Sequence, residues 1–141
     1  MRLYLLDTSL LAALVNARPF AVSLITPWMH SHEVVTSSLV YAEVVEYLKS
    51  RPNFLANRVS LRTLLREIYP YSPTYAILER YADIRRSLRP PHGPGLIGDI
   101  DTMIAATALE RNLTLVTTDG DYQRVPSLKL MLIERADLRS P

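Results

Sequence analysis

The sequence predicts one α/β domain in which helices cover both faces of a parallel sheet. Three observations predict it. The length of 141 residues suits one domain, and 48% apolar residues suffice for a core without covalent staples. Short apolar runs of strand length alternate with longer stretches of helical period, the pattern of βαβ units. No internal repeat, low-complexity tract or linker interrupts that alternation, so residues 1–141 read as a single domain.

The elements follow in order. Residues 3–6 form an apolar run without alternation, as expected of a strand covered on both faces. Thr8 or Ser9 can cap a helix over 10–15, and Pro19 precedes a second, weaker helix over 20–29. Val34, Val35 and Thr36 read as a buried strand, and Ser37 or Ser38 caps a helix to about Lys49. Asn53 can cap a helix to about Glu67, and 68–71 is a short strand between prolines. Pro73 or Thr74 begins a helix whose apolar stripe is Ile77, Leu78, Tyr81, Ile84 and Leu88. Residues 89–95 hold three prolines and two glycines and form the clearest loop. Asp99 can cap a helix to Glu110; 113–117 is a strand, 119–122 a turn and 128–133 a last strand.

Composition narrows the chemistry. Without cysteine there is no disulfide, thiolate metal site or cysteine nucleophile. Charged residues at 21% and a mean hydropathy near zero exclude a disordered chain. The net charge is only +2, but fourteen of the sixteen basic residues are Arg, the side chain suited to two-point phosphate contacts. Asp7 cuts the first apolar run too short for a signal-peptide core, and no run approaches the ~20 residues of a membrane span. The expectation is a soluble, cytoplasmic protein with no membrane partner.

The positions of the acids carry the functional reading. Asp7 follows the first strand and Asp119 follows the 113–117 strand, both at carboxyl ends, where open α/β sheets bind ligands. The same edge of a parallel sheet carries the starts of the following helices, which brings Glu43 and Asp101 to it. Positions 40, 43, 44, 47 and 48 share a helical face and read Val, Glu, Val, Tyr, Leu, so Glu43 sits in an apolar stripe. Glu46 lies on a solvated face. Singly, Asp7 and Asp119 read as turn residues, Asp99 or Asp101 as a helix cap, and Glu43 as a salt-bridge partner. Together, four acids on one rim repel one another and raise their pKa values unless a cation is present. Hard oxygen donors without cysteine suit Mg²⁺ or Mn²⁺.

Four fragments then resemble the PIN-domain ribonucleases, most closely the VapC-type toxins of toxin–antitoxin pairs. They are Leu5-Leu6-Asp7-Thr8-Ser9, Ser38-Leu-Val-Tyr-Ala-Glu43, Gly98-Asp99-Ile-Asp101-Thr-Met-Ile-Ala-Ala106 and Leu115-Val-Thr-Thr-Asp119-Gly-Asp121-Tyr122. Each is weakly specific alone; the four come in the family's order and span nearly the whole chain. The resemblance implies a three-layer α/β/α fold and a Mg²⁺- or Mn²⁺-dependent endoribonuclease. It implies Asp7, Glu43, Asp101 and Asp119 as the catalytic acids. Metal would be held by Asp7, Asp101 and Asp119, with Asp99 and Asp121 as further acids, and Asp99 sharing or replacing the role of Asp101 stays open. Thr8 and Thr117 match hydroxyl positions that orient an acid or a water. Tyr122 stands where many relatives carry Phe, which reads as a packing change. An RNA substrate, a cognate antitoxin and a homodimer through the 20–29 and 53–67 regions are implied with it.

Basic residues that could hold RNA fall in two groups. Arg80, Arg85, Arg86 and Arg89 precede the Pro/Gly loop, and of these Arg85, Arg86 and Arg89 are the substrate-binding candidates. Arg58, Arg62 and Arg66 repeat every four residues along one helical face, with Arg51 before them. A solvated helix surface explains the same spacing. His30-Ser-His32-Glu33 is the rival metal motif, with too few ligands for a tetrahedral zinc site. Tyr71 or Tyr75 could stack a base. Dinucleotide-binding, Walker and serine-hydrolase glycine motifs are missing. Two alternatives stand beside the ribonuclease: a PIN-fold RNA-binding protein without catalysis, and a metal-dependent nuclease for DNA or structured RNA.

Overall fold

The structure, a computed structural model, describes residues 2–141. Its sheet has five strands in the order β3-β2-β1-β4-β5. These are β1 (Tyr4–Leu6), β2 (Val34–Ser37), β3 (Tyr69–Tyr71), β4 (Thr114–Thr117) and β5 (Leu130–Leu132). Every pairing is parallel. The first strand to be made is therefore the central one, flanked by β2 and β4. Leu5 and Leu6 are fully buried there, as are Val35, Leu115 and Val116 on its neighbours. That is why these runs lack the alternation of a half-exposed sheet.

Four helices carry the chain from β1 outward to β3: α1 (Thr8–Val15), α2 (Pro19–His30), α3 (Ser38–Lys49) and α4 (Phe54–Leu64). Two more, α5 (Tyr75–Leu88) and α6 (Asp99–Arg111), carry it back across to β4 and pack on each other. The first set of crossovers runs one way along the sheet and the second runs the other. Right-handed connections then place the two sets on opposite faces, giving three layers. The reversal falls between β1 and β4, so the crevice at their carboxyl ends is the switch point of the sheet.

Local chemistry fixes the helix starts. Ser37 caps α3 by accepting from the Leu39 amide, and Thr74 caps α5 by accepting from the Ile77 amide. Three expectations need correction. Asn53 does not cap α4: it takes a left-handed backbone, with φ of 63°, and its side chain makes no capping bond. That helix also stops at Leu64 rather than running to about Glu67: the Arg66 and Glu67 amides bond three residues back, to the Thr63 and Leu64 carbonyls, in a tightened last turn. Asp99 is the first helical residue of α6, with Gly98 in the cap position. A short helix α7 (Arg135–Arg139), foreseen by no sequence signal, follows β5 and is pinned by buried Leu138. Among the described residues no single helix is long and apolar enough to cross a membrane.

Candidate active site

Asp7 is the first residue after β1, in the cap position of α1, and it is nearly buried at 7% exposure. Thr117, at the end of β4, donates its hydroxyl to Asp7 Oδ2 at 2.6 Å. The same hydroxyl accepts from the Asp119 amide at 3.1 Å, which fixes the direction of its proton. One threonine thus ties together the two strand ends that flank the switch point. On the other side of β1, Thr36 donates to the Leu6 carbonyl at 2.9 Å and holds β2 against the same rim.

Glu43 arrives on α3, half-buried, and receives the Thr8 hydroxyl at Oε1 over 2.6 Å. Asp101 arrives in the first turn of α6, where the helix dipole favours a carboxylate. Asp119 follows β4 and accepts from the Asp121 amide at 2.9 Å. Asp7, Glu43, Asp101 and Asp119 line one cleft of about 380 Å³, with Thr8, Ser9, Ala12, Tyr47, Thr118 and Arg135. Four acids separated along the chain by tens of residues therefore share a wall.

Electrostatics in the cleft are one-sided. Burial pushes Asp7 up to about 6; the Thr117 hydroxyl and the Thr8 amide pull it back in part, and Asp101 and Glu43 push further. Asp101 is also raised, first by burial, against the pull of a Tyr122 hydrogen bond, and then by Asp119, Glu43 and Asp121. Among the described residues none of the four lining acids forms an ion pair. Glu43 is accordingly held by a hydroxyl and not by an arginine.

Two of the sequence candidates stand apart from this cleft. Asp99 is 72% exposed in its side chain and is engaged by Arg85 and by the Tyr81 hydroxyl. Asp121 is exposed and faces Arg124 at 3.7 Å. Arg85 is thus occupied by Asp99, while Arg86 and Arg89 are exposed on or just beyond the end of α5. His30 and His32 are exposed, on the last residue of α2 and in the turn after it. Among the described residues no group of three His, Asp or Glu side chains is arranged to hold a metal ion, at this motif or elsewhere.

Two features of the site escaped the sequence reading, the hydrogen bond of Tyr122 and the presence of Arg135. Tyr122 is fully buried, as a packing residue would be, and its hydroxyl also donates to Asp101 Oδ1 at 3.0 Å. Burial among Asp7, Asp101 and Asp119 drives the phenol far above its ordinary range, so it stays a donor. The signal available was a hydroxyl at a position where Phe would pack equally well. Arg135 of α7 lines the cleft from beyond the last strand, where the sequence offers no motif.

The family model for the PIN domain matches residues 4–128. This chain belongs to the PIN-domain family. The match takes in all four acids of the cleft, and the three-layer fold agrees with it. No curated protein matches the sequence significantly. Among solved structures, this PIN domain resembles a chain of VapBC2 from Rickettsia felis, bound there to a DNA fragment from its promoter. The TM-score is 0.81 at 23% identity, covering 94% of this chain and 99% of that one. DNA-bound VapBC from Salmonella typhimurium gives 0.81 at 18% identity, covering 93% and 98%. FitAcB from Neisseria gonorrhoeae gives 0.72 at 23% identity, covering 92% and 96%. At these identities the likeness is one of fold.

The donor set of the PIN-domain cleft fits a hard divalent cation in its chemistry. It offers carboxylates on one cleft, two of which, Asp7 and Asp101, have pKa values raised by burial and by neighbouring acids, with no internal ion pair to compensate their charge. The side chains do not form a closed cage, so an ion would have to draw them together or complete its shell with water.

Proposed function

We propose that this PIN domain is a divalent-metal-dependent endoribonuclease and the toxin of a toxin–antitoxin pair. The observation that carries the reading is the convergence of Asp7, Glu43, Asp101 and Asp119 on one cleft at the switch point, without an ion-pairing cation. Asp7, Asp101 and Asp119 would hold Mg²⁺ or Mn²⁺, with Asp99 and Asp121 as outlying acids. When bound, such an ion supplies a polarised water and stabilises charge on a phosphoryl group.

The chain's own residues do the rest. Thr117 orients Asp7 through Oδ2. Tyr122 does the same for Asp101 through Oδ1. Thr8 holds Glu43 at Oε1, so its other oxygen is free to accept a proton from a water attacking the phosphodiester. Arg86 and Arg89 are available as outer phosphate contacts, and Arg85 would join them only by leaving Asp99. Attack by water on phosphorus with the 3′-oxygen as leaving group breaks the P–O3′ bond, and the products then carry 5′-phosphate and 3′-hydroxyl ends.

Partners follow from the same reading. Two of the solved neighbours come from VapBC complexes, which supports a cognate antitoxin; its tail would cover the acidic rim, where the negative charge is concentrated. Leu55 and Val59, exposed on α4, favour that helix as a homodimer surface. The deciding test is cleavage of a mixed RNA pool with Mg²⁺, Mn²⁺ or EDTA, beside folded Asp7→Asn and Asp101→Asn variants. Cleavage that needs metal and both acids supports the reading. Metal-independent cleavage, full activity in the variants, or 2′,3′-cyclic phosphate products would refute it.

A further inference from the structure

A second cleft, of about 270 Å³, opens directly beside the acidic one. Its walls are Arg18 at the start of α2, Arg135 and Arg139 of α7, and Asn16 at the end of α1. Ser9, Ala12, Tyr47, Thr118 and Arg135 line both clefts, so the two are continuous. The acidic cleft carries four carboxylates; the lining of the second holds three guanidinium groups and no carboxylate. None of Arg18, Arg135 and Arg139 forms an ion pair among the described residues, whereas Arg80, Arg85 and Arg124 all do. Arg135 and Arg139 are four residues apart on one helix, hence on one face, and buried Leu138 between them anchors that helix. Neutral hydrogen-bonding groups complete the floor: Thr118 donates to Ser9 at 3.1 Å, and Asn16 donates to the Tyr47 hydroxyl at 3.3 Å.

We propose that this basic cleft holds the phosphodiester backbone of a single-stranded polynucleotide immediately beside the position that is cut. The inference rests on the nuclease reading above and deepens it. A strand entering the acidic cleft brings one negative charge per nucleotide toward four carboxylates, so its neighbouring phosphates need positive charge within the same groove. Arginine supplies that charge with two-point geometry, and hydroxyl and amide groups supply the remaining sugar and phosphate contacts. Tyr47, 38% exposed at the junction, offers a face for a base. The other arginine group, Arg58 and Arg62 on α4 with Arg66 just beyond its end, lines a cleft that shares no residue with the acidic one. The path of the strand therefore runs from the acids toward α7 and the start of α2, and not along α4.

The test is fluorescence anisotropy with labelled twelve-nucleotide RNA and DNA strands, in EDTA so that nothing is cut. The full chain is compared with Arg18→Ala/Arg135→Ala and, as a control, Arg58→Ala/Arg62→Ala. The double variant of the basic cleft is expected to bind about tenfold or more weakly, and its slope of log affinity against log salt to fall by roughly 1.4, about 0.7 per lost contact. The α4 variant is expected to bind as the parent does. Circular dichroism confirms that both are folded. RNA and DNA affected alike mark a backbone subsite; an effect on RNA alone adds contact with the 2′-hydroxyl, and both outcomes support the proposal. Unchanged affinity and slope in the basic-cleft variant overturn it and leave that cleft to a protein ligand, even if the parent still cleaves RNA. No strand binding by the parent at low salt overturns it as well. A parent that binds through these arginines yet never cleaves with metal upholds the subsite and refutes the nuclease.

Discussion

Replacing Asp7 with Asn separates what the acid does for the fold from what it does for chemistry. Asp7 is nearly buried, and its pKa rises from 3.8 to about 6. The folded chain therefore binds a proton that the unfolded chain releases, and stability falls as pH rises from about 3.8 to about 6. Above that window the full penalty stands. A shift of about 2 units corresponds to about 3 kcal/mol. Asn removes the charge and can still accept the Thr117 hydroxyl, but its amide protons need new partners, which offsets roughly 1–2 kcal/mol. The metal-free variant is thus expected to be more stable than the parent by about 1–2 kcal/mol near neutral pH, or roughly 3–8 °C in Tm.

Thermal unfolding followed by circular dichroism in EDTA, from about pH 4.5 to about pH 7.5, reads this directly, because the gap in Tm should open as pH rises. Adding Mn²⁺ should raise the Tm of the parent, since only the folded chain assembles the acids, and should leave the variant nearly unmoved. A gap of the same size at every pH, or a variant less stable than its parent near neutrality, would refute the argument that the carboxylate is held under strain. Loss of RNA cleavage in a chain that has become more stable would set the cost of the site against its use.

Other substitutions probe the groups around that acid. Tyr122→Phe should keep the fold to within about 1 kcal/mol but remove the donor that lowers Asp101. Mn²⁺ binding by calorimetry should weaken about tenfold, as expected for losing a hydrogen bond to a charged group, and the pH below which metal is released should rise. Thr117→Val strands both the Asp7 oxygen and the Asp119 amide, so denaturant melts should show a loss of about 1–3 kcal/mol despite the similar volume. Gly93→Ala would bring a methyl to 2.2 Å from the Ser87 carbonyl oxygen, and the loop after α5 must shift. A fall in Tm on the order of 5 °C is expected.

The sequence was most legible where burial dictates composition. Runs such as Leu5-Leu6 and Leu115-Val116 are apolar because both faces of the sheet are covered, and the acids stand out against them. Caps at Ser37 and Thr74 followed from hydroxyls placed before apolar stripes. Asn53 misled because a left-handed residue and a capping residue favour the same side chain. Helix α7 was illegible: one turn and a single buried leucine produce no periodicity. With it went Arg135, whose place in the cleft depends on tertiary contact and on nothing local. The hydroxyl of Tyr122 was visible but ambiguous, since packing and hydrogen bonding call for the same ring.

The bond from Thr117 to Asp7 spans 110 residues, and it joins the first strand made to one of the last. At about 5–20 residues per second, roughly 6–22 s separate the synthesis of its two ends. Until β4 is added, β1 has an open edge on one side, and neither Thr117 nor Asp119 exists to complete the rim. A nascent chain that ends before Asp119 lacks one of the four acids of the cleft. For a protein read as cutting RNA, that places the onset of activity after the synthesis of both strand ends, in time as well as in space.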